Sequence, residues 1–466
     1  MSRRRFRLVA GALVVPLTVA AFAGVASAHG VTGSRFDAPI PLDLLFLGAG
    51  GTVGVTALFL SGGEIATGGS RRQARAFTIP DPAARALRYA GAGLFLAGVL
   101  AAQIVGVTGR QVAAENFATV FTWPVWFRGL ALLAVLVGTP WPVLSPWLTI
   151  HRGLSWLEGK PVALLGAYPA WVGVAPALVG FVAMIGIVET LTVVPRSPRL
   201  TTVVISAYAL AMVAGAALFG RAWLRKADPL AVFYRLFGRV APIEVAREDG
   251  GYAVRARPPW RGCEKPVEGV AAVAFAIAMV YTVSFDGFAN TDAYRDVLFS
   301  LRDLLDTGPE TSTLVYLLGL AGFVAAFLVS VWVVERLGGG GRVEGGVDWR
   351  GATTAFAPTV LPIAAAYEVA HNYPYVLRSL GDLVGIVVPG LGPVDPLAGL
   401  PMSTFWGTQV VLIVLGHVFA VIAAHYVALD RYGTLADARR GHLPLVAIMI
   451  GYTVLSLWII SRPVVA

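Results

Sequence analysis

Ten apolar runs divide the chain, near residues 41–61, 87–108, 117–138, 168–190, 200–220, 268–285, 312–334, 353–375, 404–428 and 443–461. Each is close to the roughly 20 residues that a helix needs to cross a hydrocarbon core about 30 Å thick. Polar positions inside the runs are few and isolated, and Arg-rich polar segments separate them. This pattern predicts transmembrane helices, because a helix satisfies its own backbone hydrogen bonds where lipid offers none. The fourth run is the hardest to bound: the whole stretch 161–190 is apolar and leaves room for a re-entrant piece. No internal repeat stands out. The expected fold class is therefore all-α, a polytopic helix bundle of about ten spans. Composition agrees: 57% of the 466 residues are hydrophobic and only 14% charged, against about 25% charged in a soluble domain. A disordered chain and a string of soluble domains are both excluded.

A further apolar stretch at the N-terminus reads differently. Arg3, Arg4, Arg5 and Arg7 precede it, it runs from Leu8 to Val25, and Ala26-Ser27-Ala28 follows. That order fits a secretory signal peptide with a small-residue cleavage site. Residues 1–28 are expected to be removed, the alternative being an uncleaved anchor helix. Either way residues 29–466 form a single transmembrane domain, and His29 faces the outer side. With the first span starting outside, inner loops hold 23 Lys and Arg and outer segments hold 8. This bias follows the positive-inside rule and places the chain in the cytoplasmic membrane, with the mature N-terminus and the C-terminus outside. It also accounts for most of the net charge of +9. No basic domain stands apart from the membrane, so membrane lipids are expected partners and nucleic acid is not. Cys263, the lone cysteine, excludes a disulfide framework and a thiolate cluster.

Two loops are long enough to matter. The basic inner loop 221–267 places Trp223, Phe233, Tyr234 and Phe237 among Arg and Lys. It is expected to form an amphipathic helix lying on the inner leaflet, or a partner-docking site. The outer loop 286–311 carries Asp286, Asp292, Asp296, Asp303, Asp306 and Glu310. It is either a solvated face or a surface that draws cations to the outer mouth.

Ionisable residues inside spans are costly and mark cavities or partners. Arg128 falls near the middle of the third run, Glu368 and His371 in the outer half of the eighth, and His417 near the middle of the ninth. Glu368 and His371, three apart, share a helix face. At 1.5 Å per residue, Glu368 lies about 6 Å outward of the midplane and His371 about 10 Å. Arg128 and His417 fall near the midplane, and Gln103 and Gln409 at the depth of His371. Gln103, Arg128, Glu368, His371, Gln409 and His417 can thus line one outward-facing polar cavity that binds or moves a small solute or metal ion. The alternative is a structural bridge in which Arg128 and Glu368 neutralise each other. In that case Glu368→Gln alone should cost more stability than the double change with Arg128→Met. His425, about 12 Å along the axis from His417, cannot share a metal with it. A copper or zinc role falls to His371 and His417, or to His29. The terminal amine and ring of His29 would chelate Cu(II) beside the flexible Gly30, with Asp37 and Asp43 nearby.

The usual catalytic signatures are missing from the sequence: H-E-x-x-H, G-x-S-x-G, Walker A and C-x-x-C. Glu368-x-x-His371 matches half of a di-iron motif, but the sequence has no second copy. Several stretches resemble a group of prokaryotic membrane proteins labelled fenitrothion hydrolase. They are Asn116–Leu130 (NFATVFTWPVWFRGL), Leu144–Trp147 (LSPW), Gly220–Pro242 (GRAWLRKADPLAVFYRLFGRVAP), Ser284–Thr291 (SFDGFANT), Pro362–His371 (PIAAAYEVAH) and Gly416–His425 (GHVFAVIAAH). The likeness covers most of the mature chain in the same order. It implies hydrolysis of phosphotriesters, with a His-held metal activating water and Glu368 as general base. The chain departs from the group at Glu368, where the group carries an apolar residue, and at Asn372, where it carries an aromatic. His371, His417 and His425 match it. Three functions therefore stay open: a membrane protein that binds or moves a solute or ion, a membrane-embedded phosphotriester hydrolase, and a structural or assembly subunit.

The intact mass of the purified protein should correspond to a chain beginning at His29. A mass that retains Arg3–Arg7 would remove the terminal copper site.

Overall fold

Almost every apolar run becomes a helix in the computed structural model, which describes residues 40–62, 75–338, 348–388 and 390–461. His29, Asp37 and the cleavage tripeptide lie outside the described residues. The long helices are α1 (Leu42–Gly62), α2 (Asp81–Thr108), α3 (Phe117–Val137), α5 (Ala170–Glu189), α6 (Pro198–Phe219), α8 (Val270–Ala289), α10 (Thr311–Gly338), α11 (Leu361–Val387), α12 (Met402–Tyr432) and α13 (Leu435–Ile460). Three shorter ones matter below: α4 (Pro146–Leu157), α7 (Pro229–Phe237) and α9 (Asp292–Leu305). The protein is an all-α, multi-pass integral membrane protein. Among the described residues nine helices are long and apolar enough to cross a membrane. α11, with 27 residues, has the length, and its polar residues keep it out of that set.

The helices are not equivalent. Some 67% of the most apolar stretch of α3 is buried, and 72% of that of α8, against half or less in the other seven apolar spans. α11 packs between them, against α3, α8 and α12. These three helices form the centre, and the others present apolar side chains outward, as Leu58 and Phe59 of α1 and Leu94 of α2 do. The close fit of α11 and α12 depends on Gly416, where a Cβ would lie only 2.4 Å from that of Ala366.

Two expectations are corrected. The eighth span does not run over 353–375. A short helix, Trp349–Phe356, passes through a tight 3-10 turn at Ala357–Val360 into α11, which continues to Val387. Pro358 and Pro362 lie at this junction and have no N–H to give to a regular helical ladder. The second half of α11 carries Arg378 and Asp382, which end the apolar run long before the helix ends.

The second correction concerns the loop 221–267. Its helix α7 does not lie on a leaflet: seven of its nine residues are buried, among them Phe233, Tyr234 and Phe237. Asp228 caps it, accepting from Leu230 N at 2.9 Å and Ala231 N at 3.2 Å. The same carboxylate accepts from Trp141 Nε1 at 2.7 Å and Tyr208 Oη at 2.5 Å. Four donors on a fully buried carboxylate, two from other elements, pull α7 into the bundle, where water cannot compete for them.

Beyond α7 the loop folds into a hairpin, β2 (Ile243–Glu248) and β3 (Gly251–Ala256). β3 also pairs with β1 (Arg75–Pro80), which directly precedes α2, to give a three-stranded antiparallel sheet in the order β1-β3-β2. Arg247 on β2 pairs with Asp81 at the start of α2. β1 and the hairpin therefore share one side of the membrane, as an even number of crossings between them requires.

Cys263 is buried, and burial pushes its thiol up to about 12, so it does not report on sidedness. Asp249, exposed in the β2–β3 turn, does. In an Asp249→Cys variant, a membrane-impermeant maleimide should label the turn only after the membrane is opened. Labelling in intact cells would overturn the expected orientation.

Candidate functional site

The centre of the bundle is mainly apolar, and Arg128 brings a buried positive charge into it. Arg128 lies at the end of a widened, π-helical stretch of α3, Phe121–Gly129, which contains Pro124. Proline interrupts the regular i→i−4 ladder, and a wider turn of this kind recurs at functional sites. The turn is supported from outside α3: the Tyr234 hydroxyl of α7 lies 3.0 Å from the Trp126 carbonyl oxygen and 3.2 Å from that of Phe127. The buried α7 thus holds the backbone that aims Arg128.

Three carboxylates surround the guanidinium. Nε donates to Glu189 Oε1 at 2.8 Å. Nη1 donates to both oxygens of Glu368, each at 3.1 Å. Nη2 lies 3.8 Å from Asp286 Oδ2. That Asp286 oxygen is 3.3 Å from His371 Nε2. Glu189 closes a second π-helical stretch, Val182–Glu189 of α5. Within it Gly186 has no side chain to obstruct Tyr316 of α10, whose hydroxyl would lie 2.0 Å from an added Cβ. Four spans, α3, α5, α8 and α11, therefore meet at one charge.

Depth and access follow from the elements. Asp286 lies 16 residues beyond the start of α8, about 24 Å along the axis, so the cluster is near the end of the bundle opposite the sheet. Side-chain exposure falls from 29% at His371 and 19% at Asp286 to 3% at Arg128 and 1% at Glu368. One Glu189 oxygen and the side-chain nitrogen of Asn372 are buried without a partner. Buried polar atoms of this kind call for water, an ion or a ligand.

The expected cavity is assembled only in part. Arg128, Glu368 and His371 come together, joined through Asp286. Gln409 donates to the Ala370 carbonyl at 3.0 Å, which places it at the depth of His371. Gln103 instead accepts from Ser206 of α6 at 2.9 Å. His417 gives its Nδ1 proton to the Ile413 carbonyl at 2.8 Å and stacks obliquely on Tyr452. His425 lies against His442 on α13, with ring centroids 5.3 Å apart. Among the described residues no group of three or more His, Cys, Asp or Glu is placed to hold a metal ion. His29, the third residue expected in a copper or zinc site, lies outside them.

Glu189 and Asp286 are the members that sequence reading missed. Asp286 falls one residue past the run read over 268–285, although its helix continues to Ala289; Glu189 is the second-last residue of the run read over 168–190 and passes for a span terminus. No protein-family model, curated protein or solved structure matches the chain, so the site rests on its own geometry.

The geometry reverses one expectation. Removing Arg128 together with Glu368 leaves Glu189 and Asp286, both largely enclosed, without their cation, whereas Glu368→Gln leaves Arg128 two carboxylates. The double change Arg128→Met/Glu368→Gln should therefore destabilise more than Glu368→Gln, by about 3–5 kcal/mol, read as the midpoint of unfolding in mild detergent. A double variant no less stable than Glu368→Gln would restore the simple two-residue bridge.

Proposed function

We propose that this chain binds a small cation, a proton or an ammonium-type solute, at the Arg128 cluster and moves it across the membrane. The observation that carries this reading is the charge imbalance: one arginine faces Glu189, Asp286 and Glu368. Even a protonated His371 leaves the ionised cluster one negative charge in excess. An uncompensated charge in a low-dielectric interior is expensive, so the cluster must take up a proton or a cation. The fall in exposure from His371 and Asp286 to Glu368 sets the order in which an entering cation meets them. With the orientation expected from the Lys and Arg bias, that entrance faces the outer side of the cytoplasmic membrane, and the acidic segment around α9 lies beside it.

The hydrolase implied by the sequence resemblance receives less support. Glu368, its expected base, gives both oxygens to Arg128 and is buried, which holds it away from an attacking water.

The test uses the purified chain in liposomes with an entrapped pH dye and an imposed potassium diffusion potential, negative inside. The lumen should acidify faster than in protein-free vesicles, and an Asp286→Asn variant should lose at least tenfold of that rate. If neither protons nor methylammonium enter faster than in protein-free vesicles, the reading fails and a structural role takes its place.

A further inference from the structure

At the sheet end of the bundle, a second charged feature lies away from the Arg128 cluster. Helix α4 has 12 residues, about 18 Å, too short to cross a core of about 30 Å. Its inner face is buried through Pro146, Trp147 and His151. Its C-terminal end presents Trp156, 80% exposed. The chain then turns back and is pinned to the end of α6: Leu164 N donates to the Ala217 carbonyl and Leu165 N to that of Leu218, both at 2.9 Å. His151 Nε2 meets the Val162 carbonyl at 3.0 Å. This fixes Leu164 and Leu165 with their side chains outward, 76% and 65% exposed. A tryptophan and two leucines held outward on elements that cannot span belong in the interfacial layer of a bilayer, where tryptophan concentrates.

Arginines from three elements gather beside this apolar patch. Arg88 is in the second turn of α2, Arg152 is on α4, and Arg221 opens the short helix Arg221–Lys226 that packs against α4. Burial, and then the positive charges of Arg88 and Arg221, hold the Arg152 guanidinium below the usual arginine range. Among the described residues none of the three has a carboxylate within ion-pair distance, unlike Arg128, Arg247 or Arg431. Three arginines on contacting elements, with no carboxylate partner among the described residues, make a site for an anion. Its position at a membrane edge, with outward apolar side chains beside it, indicates which anion.

We propose that Arg88, Arg152 and Arg221 bind the headgroup phosphate of an anionic phospholipid, whose acyl chains lie along Trp156, Leu164 and Leu165. Guanidinium forks match phosphate oxygens in geometry and charge. The patch matches the lipid in its order along the membrane normal, with cations at the headgroup level and apolar side chains alongside.

The test is native mass spectrometry of the full-length protein in mild detergent, with phosphatidylglycerol or phosphatidylcholine of the same acyl chains added. Wild type should retain phosphatidylglycerol in preference. Arg221→Gln, at an exposed position, should weaken that preference about fivefold, and the triple change of Arg88, Arg152 and Arg221 to Gln should abolish it. Arg247→Gln/Arg255→Gln on the sheet should leave it intact. Equal retention of the two lipids, an unchanged preference in the triple variant, or an equal loss in the sheet variant would overturn the proposal. So would displacement of the lipid by millimolar inorganic phosphate, which would assign the arginines to a soluble anion.

Discussion

A guanidinium keeps its charge at any accessible pH, so a protein that buries one inside a membrane has to build around it. Arg128 imposes that requirement here. Its five N–H donors have no lipid or bulk water to turn to, and carboxylates from α5, α8 and α11 converge on it. Because those carboxylates come from different helices, the charge fixes how the helices sit around one another. The two most enclosed of the nine apolar spans, α3 and α8, both contribute to the cluster. Apolar packing brings helices together without a strongly preferred rotation; the cluster supplies that preference.

The backbone around the cluster is irregular in ways that serve it. Both Arg128 and Glu189 belong to π-helical stretches. In the first, the Tyr234 hydroxyl from the basic loop donates to the carbonyls of Trp126 and Phe127 and braces the wider turn. A loop rich in Arg and Lys thus reaches the interior through its aromatic residues, and Asp228 anchors it by drawing donors from Trp141 and Tyr208. The cluster at one end of the membrane and the loop at the other are linked through a single helix turn.

Much of the fold could be read from hydrophobic run lengths, because burial in lipid imposes one length on every span. The boundaries of α1, α3 and α6 fall within a few residues of their runs. The pattern failed at α11, where Arg378 and Asp382 interrupt the apolar run while the helix continues. It failed again at α7, where alternating basic and aromatic residues look the same on a lipid surface and against a protein interior. At the site, Arg128, Glu368 and His371 announced themselves as charges within apolar runs. Asp286 did not, because a carboxylate one turn inside a helix end has the same local sequence as one just outside it, and Glu189, at the very end of its run, passed for a span terminus. The separation of His417 and Gln103 from the cluster depends on helix rotation, which depth along an axis does not encode.

The pairing of β1 with β3 bears on how the chain is made. Pro80 and Gly251 are register partners, yet some 170 residues separate them. At about 5–20 residues per second, a ribosome needs roughly ten to thirty seconds between the two strands. During that interval α2, α3, α5 and α6 enter the bilayer while β1 waits with an open edge. The sheet can close only after those four helices have been delivered in the correct alternation, since a single missed crossing would leave β1 and β3 on opposite sides. The strand pair therefore fixes the parity of insertion: β1 and β3 can meet only if an even number of crossings lies between them.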